Sequence, residues 1–147
     1  MPSLEDIKQA LLKILAQIIA LRNAPMPPLT PPVLDWSNRD AVRTSIRMIA
    51  DQEGLTPEQK NTMSQVLHCE SNYRTDIIHP NIVGGKTMST DFGVCQWNDY
   101  YHGKEITPDE ALHNPEKAVR LMCQYVKRGQ IGQWVCYSKK LYLGYAA

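Results

Sequence analysis

The sequence predicts a mainly α-helical fold of the α+β class, in which a helical domain carries a small β-hairpin. Helix-start signals recur along the chain, at Thr56-Pro57, Thr107-Pro108 and Asn114-Pro115. Between the first two lies an interval rich in turn formers, with Pro80-Asn81 and Gly84-Gly85. Such residues favour a loop or a short hairpin over a helix.

The composition of the chain indicates a globular protein and argues against two other classes, nucleic-acid-binding and transmembrane proteins. The chain has 147 residues, 43% of them hydrophobic and 21% charged, which suits one globular domain with some additional chain. The formal net charge is +1, and this argues against nucleic acid as the main partner because phosphate binding usually leaves a basic excess. No apolar run is long enough to cross a bilayer, so a transmembrane protein is not expected.

Residues 1–23 are predicted to form an amphipathic helix, with Ser3 as its cap and Asp6 near its positive end. Two apolar lines recur every seven residues: Leu4, Leu11 and Ile18, and Ile7, Ile14 and Leu21. A wider stripe than a two-stranded seam results from Leu12, Leu15 and Ile19. Such an apolar stripe must be buried against something. The alternatives are the body of the same chain, identical helices of other subunits, and a membrane surface.

Residues 24–35 are predicted to form a stiff, extended linker, because prolines dominate this segment. A helix with an apolar face on a stiff linker is typical of a tether. We therefore expect residues 4–22 to support a homo-oligomer or attachment to a partner. Acidic residues Glu5 and Asp6 make this helix a poor secretory signal.

The remaining residues, 36–147, are predicted to form the main domain. One helix runs from Ser37 to a glycine cap at Gly54, and the next starts at Thr56 and ends near Ser71-Asn72. Two more begin at Thr107 and Asn114, the second running to Gly129.

The cysteines are Cys69, Cys95, Cys123 and Cys136, and their spacing matches no common zinc signature. Two interpretations stay open: two disulfides of undetermined connectivity in an oxidising compartment, or four reduced, buried thiols. The four histidines form no ligand-spaced pair. Neither a metal site nor a cofactor is expected.

Glu70 is the first candidate catalytic residue. It falls at the C-terminal end of a predicted helix, after apolar residues Val66 and Leu67. The negative helix end and apolar neighbours both disfavour an ionised carboxylate. A carboxyl group kept protonated in this way can act as a general acid near neutral pH.

Two segments near Glu70 carry a family resemblance. The first is Glu70-Ser71-Asn72-Tyr73, and the second is Ser89-Thr90-Asp91-Phe92-Gly93-Val94-Cys95-Gln96-Trp97-Asn98. They resemble the lysozyme superfamily, whose animal-type members carry Glu-Ser-Asn-Phe at a helix end and then a Ser-Thr-Asp-Tyr-Gly-x-x-Gln-x-Asn hairpin. Lytic transglycosylases are similar in the same stretch, through Glu-Ser and then Gly-x-x-Gln. The resemblance covers residues 67–98 well and 107–137 loosely, and residues 1–35 lie outside it.

The resemblance implies a lysozyme-like helical domain whose hairpin bears the substrate cleft. It makes Glu70 the general acid and Asp91 the nucleophile or electrostatic stabiliser of a glycosidase. The two lie 91 − 70 = 21 residues apart, a somewhat longer spacing than in animal-type lysozymes, with the extra residues in the loop at 79–88. Neighbouring Ser89, Thr90 and Asn98 give Asp91 a polar setting that favours its ionised form.

The resemblance also implies substrate contacts. Gln96 and Asn98 match positions on the cleft floor that bind an N-acetyl group, and Trp134 matches a tryptophan segment that walls the acid. For Trp97 a core position and a sugar platform stay equally open. Candidates for the sugar rim are Tyr73, Tyr100 and Tyr101.

The sequence leaves three functions open. The first is a muramidase that hydrolyses the MurNAc-GlcNAc β-1,4 bond of a peptidoglycan glycan strand, and Asp91 favours it. The second is a lytic transglycosylase that forms 1,6-anhydroMurNAc, and the third is a catalytically silent binding module. Because peptidoglycan lies outside the cytoplasm, we expect an extracytoplasmic protein that is secreted, held in the cell envelope or associated with a phage.

Overall fold

The computed structural model describes residues 1–23 and 33–147 of the chain, which divides into two units, 1–32 and 33–147. In the first unit, helix α1 spans Leu4–Asn23. Its start is capped as predicted: Ser3 Oγ accepts a hydrogen bond from Asp6 N–H at 3.2 Å, and Asp6 accepts one from Ser3 N–H at 2.9 Å. Most of the predicted linker lies at residues 24–32, outside the described residues. Among those described, no helix combines the length and apolarity that crossing a bilayer requires.

The second unit is mainly helical. Its helices are α2 (Arg39–Gln52), α3 (Pro57–Ser71), α4 (Asp99–His102), α5 (Pro108–His113), α6 (Pro115–Lys127) and α7 (Val135–Ser138), and 3₁₀ turns span Ile131–Gln133 and Leu141–Gly144. The unit begins earlier than the predicted boundary at 36. Leu34 packs against the core, and Asp35 N–H donates to Ser45 Oγ at 2.8 Å, so residues 33–35 belong to the domain and not to the linker.

Local capping explains where the main helices begin. Complete capping boxes start α3 and α5, with Thr56 paired to Gln59 and Thr107 paired to Glu110. The side chain of Asn114 caps α6. For α2 the cap is Asn38, one residue beyond the predicted start at Ser37, because the Asn38 side chain accepts hydrogen bonds from Asp40 and Ala41.

The interval between α3 and α4 forms an antiparallel sheet in the order β1-β2-β3. The strands are β1 (Ile78–Val83), β2 (Lys86–Phe92) and β3 (Trp97–Asn98). Of the two predicted options, loop or hairpin, β1 and β2 form the hairpin. Its register places His79 opposite Asp91, which in turn lies opposite Asn98 on β3. These three side chains therefore share one face of the sheet.

The core lies between α2, α3 and α6. Their inward faces contribute the fully buried side chains Ile46, Ile49, Met63, Val66, Leu67, Val119, Met122 and Cys123. A close approach joins this core to the sheet at Gly93, in the turn after β2. A Cβ on Gly93 would lie 2.0 Å from the carbonyl oxygen of Ala111 in α5, and Gly93 also has φ +69°. Glycine is the residue that fits both constraints.

Cys69 and Cys136 form a disulfide between α3 and α7, with a Cα–Cα distance of 6.1 Å. Cys95 and Cys123 are buried free thiols. Each of the two sequence-based interpretations therefore holds for one pair of cysteines. Cys69 and Cys136 are bonded, whereas Cys95 and Cys123 are buried thiols.

Candidate active site

A cleft of about 520 Å³ lies between the end of α3, the sheet and the segment that precedes α7. Its size falls within the range typical of small-molecule sites. The lining residues are Glu70, Asn81, Ser89, Asp91, Gln96, Trp97, Asn98, Tyr101, His102, Gln133, Trp134 and Val135. Two carboxyl groups, Glu70 and Asp91, therefore face one cavity.

Glu70 is half-buried in the last turn of α3. Burial raises the pKa of its carboxyl group above the ordinary value, and the negative charge of Asp91 raises it further. Two effects lower this pKa. Cys136 N–H donates a hydrogen bond to Glu70 Oε1 at 2.8 Å, and the electrostatic effect of His79 favours the ionised carboxylate. The net effect is upward, which favours a protonated acid in the cleft.

The turn after Glu70 is unusual. Asn72 and Tyr73 both have positive φ, 54° and 61°, a region that bulky L-residues rarely adopt. Ser71 is buried and its hydroxyl donates to the carbonyl of Leu67 at 3.0 Å. This geometry ends the helix abruptly, directly after the carboxyl group.

Asp91 is held by side-chain amides. Asn98 Nδ2 donates to Asp91 Oδ1 at 2.6 Å, and Asn81 Nδ2 donates to Asp91 Oδ2 at 3.0 Å. Both donors come from neighbouring strands, since Asn98 lies opposite Asp91 on β3 and Asn81 lies diagonally on β1. Each carboxylate oxygen therefore has a fixed donor that orients the group within the cleft.

Asn98 and Gln96 line the cleft as predicted, but their amides are also used by the protein. Asn98 Oδ1 caps α4 by accepting the backbone N–H of Tyr100 at 3.1 Å. Gln96 Nε2 donates to the carbonyl of Gly93 at 2.8 Å, and Gln96 Oε1 lies 2.9 Å from His79 Nδ1. Both side chains thus fix the shape of the cleft floor.

Two of the three tryptophans, Trp97 and Trp134, form an apolar wall of the cleft. Trp97 is 2% exposed and its Nε1 donates to the carbonyl of Ala118 at 3.2 Å, so of the two options left open it takes the core position. Trp134 packs edge-on against it, with ring centroids 5.2 Å apart. Trp134 is 5% exposed, and its Nε1 donates to the carbonyl of Cys95 at 2.7 Å, which fixes the indole in the cleft wall.

Tyr73 does not line the cleft, contrary to the predicted sugar contact. Its ring is 3% exposed, and its hydroxyl donates to the carbonyl of Ser64 at 2.9 Å. The positive φ at Tyr73 explains this correction, because the turn carries the ring back toward α3. Of the other two tyrosines, Tyr101 lines the cleft, and Tyr100 packs against Tyr101 edge-on at 5.1 Å.

Sequence reasoning missed Asn81 and His102, which line the cleft, and His79, which contacts Gln96 beside it. Asn81 and His79 lie within residues 79–88, which the family resemblance predicts to be a loop with extra residues. A two-residue alternation of polar side chains facing Asp91 was the available signal, but reading it requires the strand register. His102 follows the quoted segment and lies in α4.

His102 belongs to a polar chain behind the cleft. Its Nδ1 lies 3.4 Å from the Tyr125 hydroxyl, which donates to Glu105 Oε1 at 2.7 Å. Burial lowers the pKa of His102, against the opposing effects of Glu105 and Asp91. The shift favours a neutral imidazole, which can both donate and accept hydrogen bonds.

The described ranges 1–23 and 33–147 contain no group of three or more His, Cys, Asp or Glu side chains arranged to hold a metal ion. What the cleft does contain is one carboxyl group biased toward its protonated form and one held by amide donors. This pairing suits proton donation to a leaving group together with stabilisation of developing positive charge. Comparisons with protein-family models, curated proteins and solved structures find no match to the chain.

Proposed function

We propose that the chain is a lysozyme-like glycosidase that cleaves the MurNAc-GlcNAc β-1,4 bond of peptidoglycan by hydrolysis. The observation that carries this proposal is the contrast between Glu70 and Asp91 across one cleft. Burial raises the pKa of Glu70, whereas two amide N–H groups bind the oxygens of Asp91. Glycosidic cleavage requires that division of roles between two carboxyl groups.

In this mechanism Glu70 protonates the glycosidic oxygen as the leaving sugar departs. Asp91 faces the positively charged, oxocarbenium-like sugar and either stabilises it or forms a covalent bond with it. Water then completes the reaction, with the Glu70 carboxylate as the base. Asn81 and Asn98 are positioning residues, because they act through Asp91.

The substrate class is supported by the motif resemblance and by the composition of the cleft. An apolar wall of Trp134 and an exposed Tyr101 lie beside polar groups of Gln96 and Asn98. Sugars present an apolar face and polar edges, so such a mixed lining suits a glycan chain. The Cys69–Cys136 disulfide is consistent with an extracytoplasmic site of action.

Mass spectrometry of products from purified peptidoglycan tests the proposal. Fragments that end in ordinary reducing muramic acid support hydrolysis, provided that Glu70→Gln abolishes their release. Fragments lighter by one water indicate a lytic transglycosylase and contradict the hydrolytic mechanism. Absence of fragments from several wall types contradicts the enzymatic function altogether and favours a binding module.

A further inference from the structure

Helix α1 has an apolar face that the proposed glycosidase does not use. Large apolar side chains at eight of its positions are each at least 46% exposed: Leu4, Ile7, Leu11, Leu12, Ile14, Leu15, Ile18 and Ile19. We propose that α1 assembles with the α1 helices of three further copies of this chain into an antiparallel four-helix bundle. This inference is independent of the proposed glycosidase function.

The period of the apolar residues favours another helix as the partner. Leu4, Leu11 and Ile18 lie on one line seven residues apart, and Ile7 and Ile14 lie on a second line with the same period. A strict seven-residue repeat keeps one seam against a supercoiled partner helix. The same helix sequence supplies a partner with a matching repeat, because every copy of the chain carries it.

The width of the apolar face favours more than two helices. A two-stranded coiled coil needs only the two lines just described. Leu12, Leu15 and Ile19 extend the face on the side of the Leu4–Leu11–Ile18 line and are 51–53% exposed. A pair of helices would leave this flank in water, whereas a bundle covers it with an additional neighbour.

The charges of α1 favour antiparallel neighbours. Its first turns carry Glu5, Asp6 and Lys8, a net charge of −1, whereas its last turn carries Arg22. Antiparallel packing places the acidic start of one helix beside the basic end of the next. It also places the positive end of each helix dipole beside the negative end of its neighbour's, which is favourable. A closed ring of antiparallel neighbours requires an even number of helices, and four is the smallest even number above two.

The same charges argue against a lipid surface as the occupant. Helices that lie on membranes usually carry a polar face rich in Lys and Arg. Here Lys8, Lys13 and Arg22 are offset by Glu5 and Asp6. Assembly would place four catalytic units on one particle, and simultaneous contacts with a polymeric substrate would slow its release.

The test is the mass of the full-length chain in solution, measured by light scattering at several concentrations. A bundle predicts four times 16.7 kDa, about 67 kDa. Leu11→Lys combined with Ile14→Lys should reduce the mass to 16.7 kDa and lower the helical signal, since most of the stability of a protein helix comes from packing of its apolar face. Gln9→Lys with Ala16→Lys adds the same charge on the opposite face and should leave the mass at the tetramer value.

Several results would overturn the proposal. A wild-type chain that stays monomeric or dimeric contradicts it, as does assembly that survives Leu11→Lys with Ile14→Lys. A monomer that sediments with anionic phospholipid vesicles would identify a membrane as the occupant instead. None of these readouts depends on glycan cleavage, so failure of the bundle and failure of the glycosidase proposal are distinguishable.

Discussion

The backbone N–H of Cys136 donates a hydrogen bond to Glu70 Oε1 at 2.8 Å, although 66 residues separate the two along the chain. The neighbour of Glu70, Cys69, is bonded to Cys136 itself through a disulfide. The covalent link therefore fixes the position of the donor that meets the candidate acid. One set of contacts therefore joins the crosslink to the Glu70 carboxyl group.

We expect removal of the disulfide to reduce both stability and activity. In the chain-entropy model, a crosslink that closes a loop of this length, 67 residues, contributes about 4 kcal/mol. Cys69→Ala with Cys136→Ala should lower the free energy of unfolding by up to that amount, as measured by urea denaturation. Activity should fall as well, because α7 is then less firmly held beside Glu70.

A dithiol reductant separates the effect of the bond from the effect of the substitutions. It should destabilise the wild-type chain and leave the double variant unchanged. Equal loss of stability in both would mean that the reductant acts elsewhere in the protein. Full activity of the double variant would show that α7 keeps its place without the crosslink.

Glu70→Gln should abolish glycan cleavage while preserving the fold. Glutamine keeps the shape of the side chain but supplies no proton, and a general acid typically contributes a factor of about 10²–10⁴ to the rate. Turnover of labelled peptidoglycan measures the loss, and circular dichroism verifies the fold. Glu58→Gln is the matched control, because Glu58 lies in the first turn of the same helix and should leave turnover unchanged.

The raised pKa of Glu70 predicts a pH-dependent cost to stability. Because the folded state favours the protonated carboxyl, it binds more protons than the unfolded state between the ordinary Glu pKa and the raised value. Stability should therefore decrease as pH rises through that window. Glu70→Gln removes the titration, so the variant should be more stable than wild type near neutral pH.

Below about pH 4, the ordinary range for a Glu carboxyl group, wild type and Glu70→Gln should have converging stabilities. Urea denaturation of both proteins from acidic to neutral pH measures the difference. A stability difference that does not change with pH would contradict the assignment of Glu70 as a half-buried, protonated acid. The basic limb of the activity profile should lie above the ordinary Glu range for the same reason.

Sequence reasoning succeeded where structure depends on local signals. Thr56 with Gln59, and Thr107 with Glu110, form the capping boxes that start α3 and α5, and such boxes involve residues only three positions apart. The mainly helical α+β class follows from them and from the turn formers around Gly84. Glu70 and Asp91 could be named as candidates, and both line the cleft.

Relationships that depend on tertiary packing could not be predicted in this way. The pairing of Cys69 with Cys136 bridges a loop whose path the sequence does not specify. Asn81 reaches Asp91 through the register of β1 and β2, which shifts irregularly between Asn81 and Ile82. Tyr73 turns inward because of its positive φ, and spacing alone carries no signal for that conformation.

Asn81→Ala should weaken activity without unfolding the protein. Asn81 is exposed and donates to Asp91 Oδ2 at 3.0 Å, so its loss frees one oxygen of the carboxylate. We expect a decrease of about tenfold, corresponding to a lost hydrogen bond of about 1.4 kcal/mol to a charged group. The effect should appear in kcat more than in KM, because Asp91 acts on the charged transition state. Thr87→Ala, an exposed change in the same hairpin, should change neither constant.

Gly93→Ala should be among the most destabilising single-methyl additions in the domain. The new Cβ would lie 2.0 Å from the backbone oxygen of Ala111, and the residue would also keep φ +69°. Gly129→Ala separates these two effects, because Gly129 has a similar φ of +72° with nothing within 4 Å of an added Cβ. We expect Gly129→Ala to cost about 1–2 kcal/mol from conformation alone and Gly93→Ala to cost about 3 kcal/mol or more. Denaturant titration of both variants gives the comparison, and equal costs would contradict the close approach of the β2–β3 turn to α5. Since that turn joins the strand of Asp91 to the strand of Asn98, only Gly93→Ala should also impair cleavage.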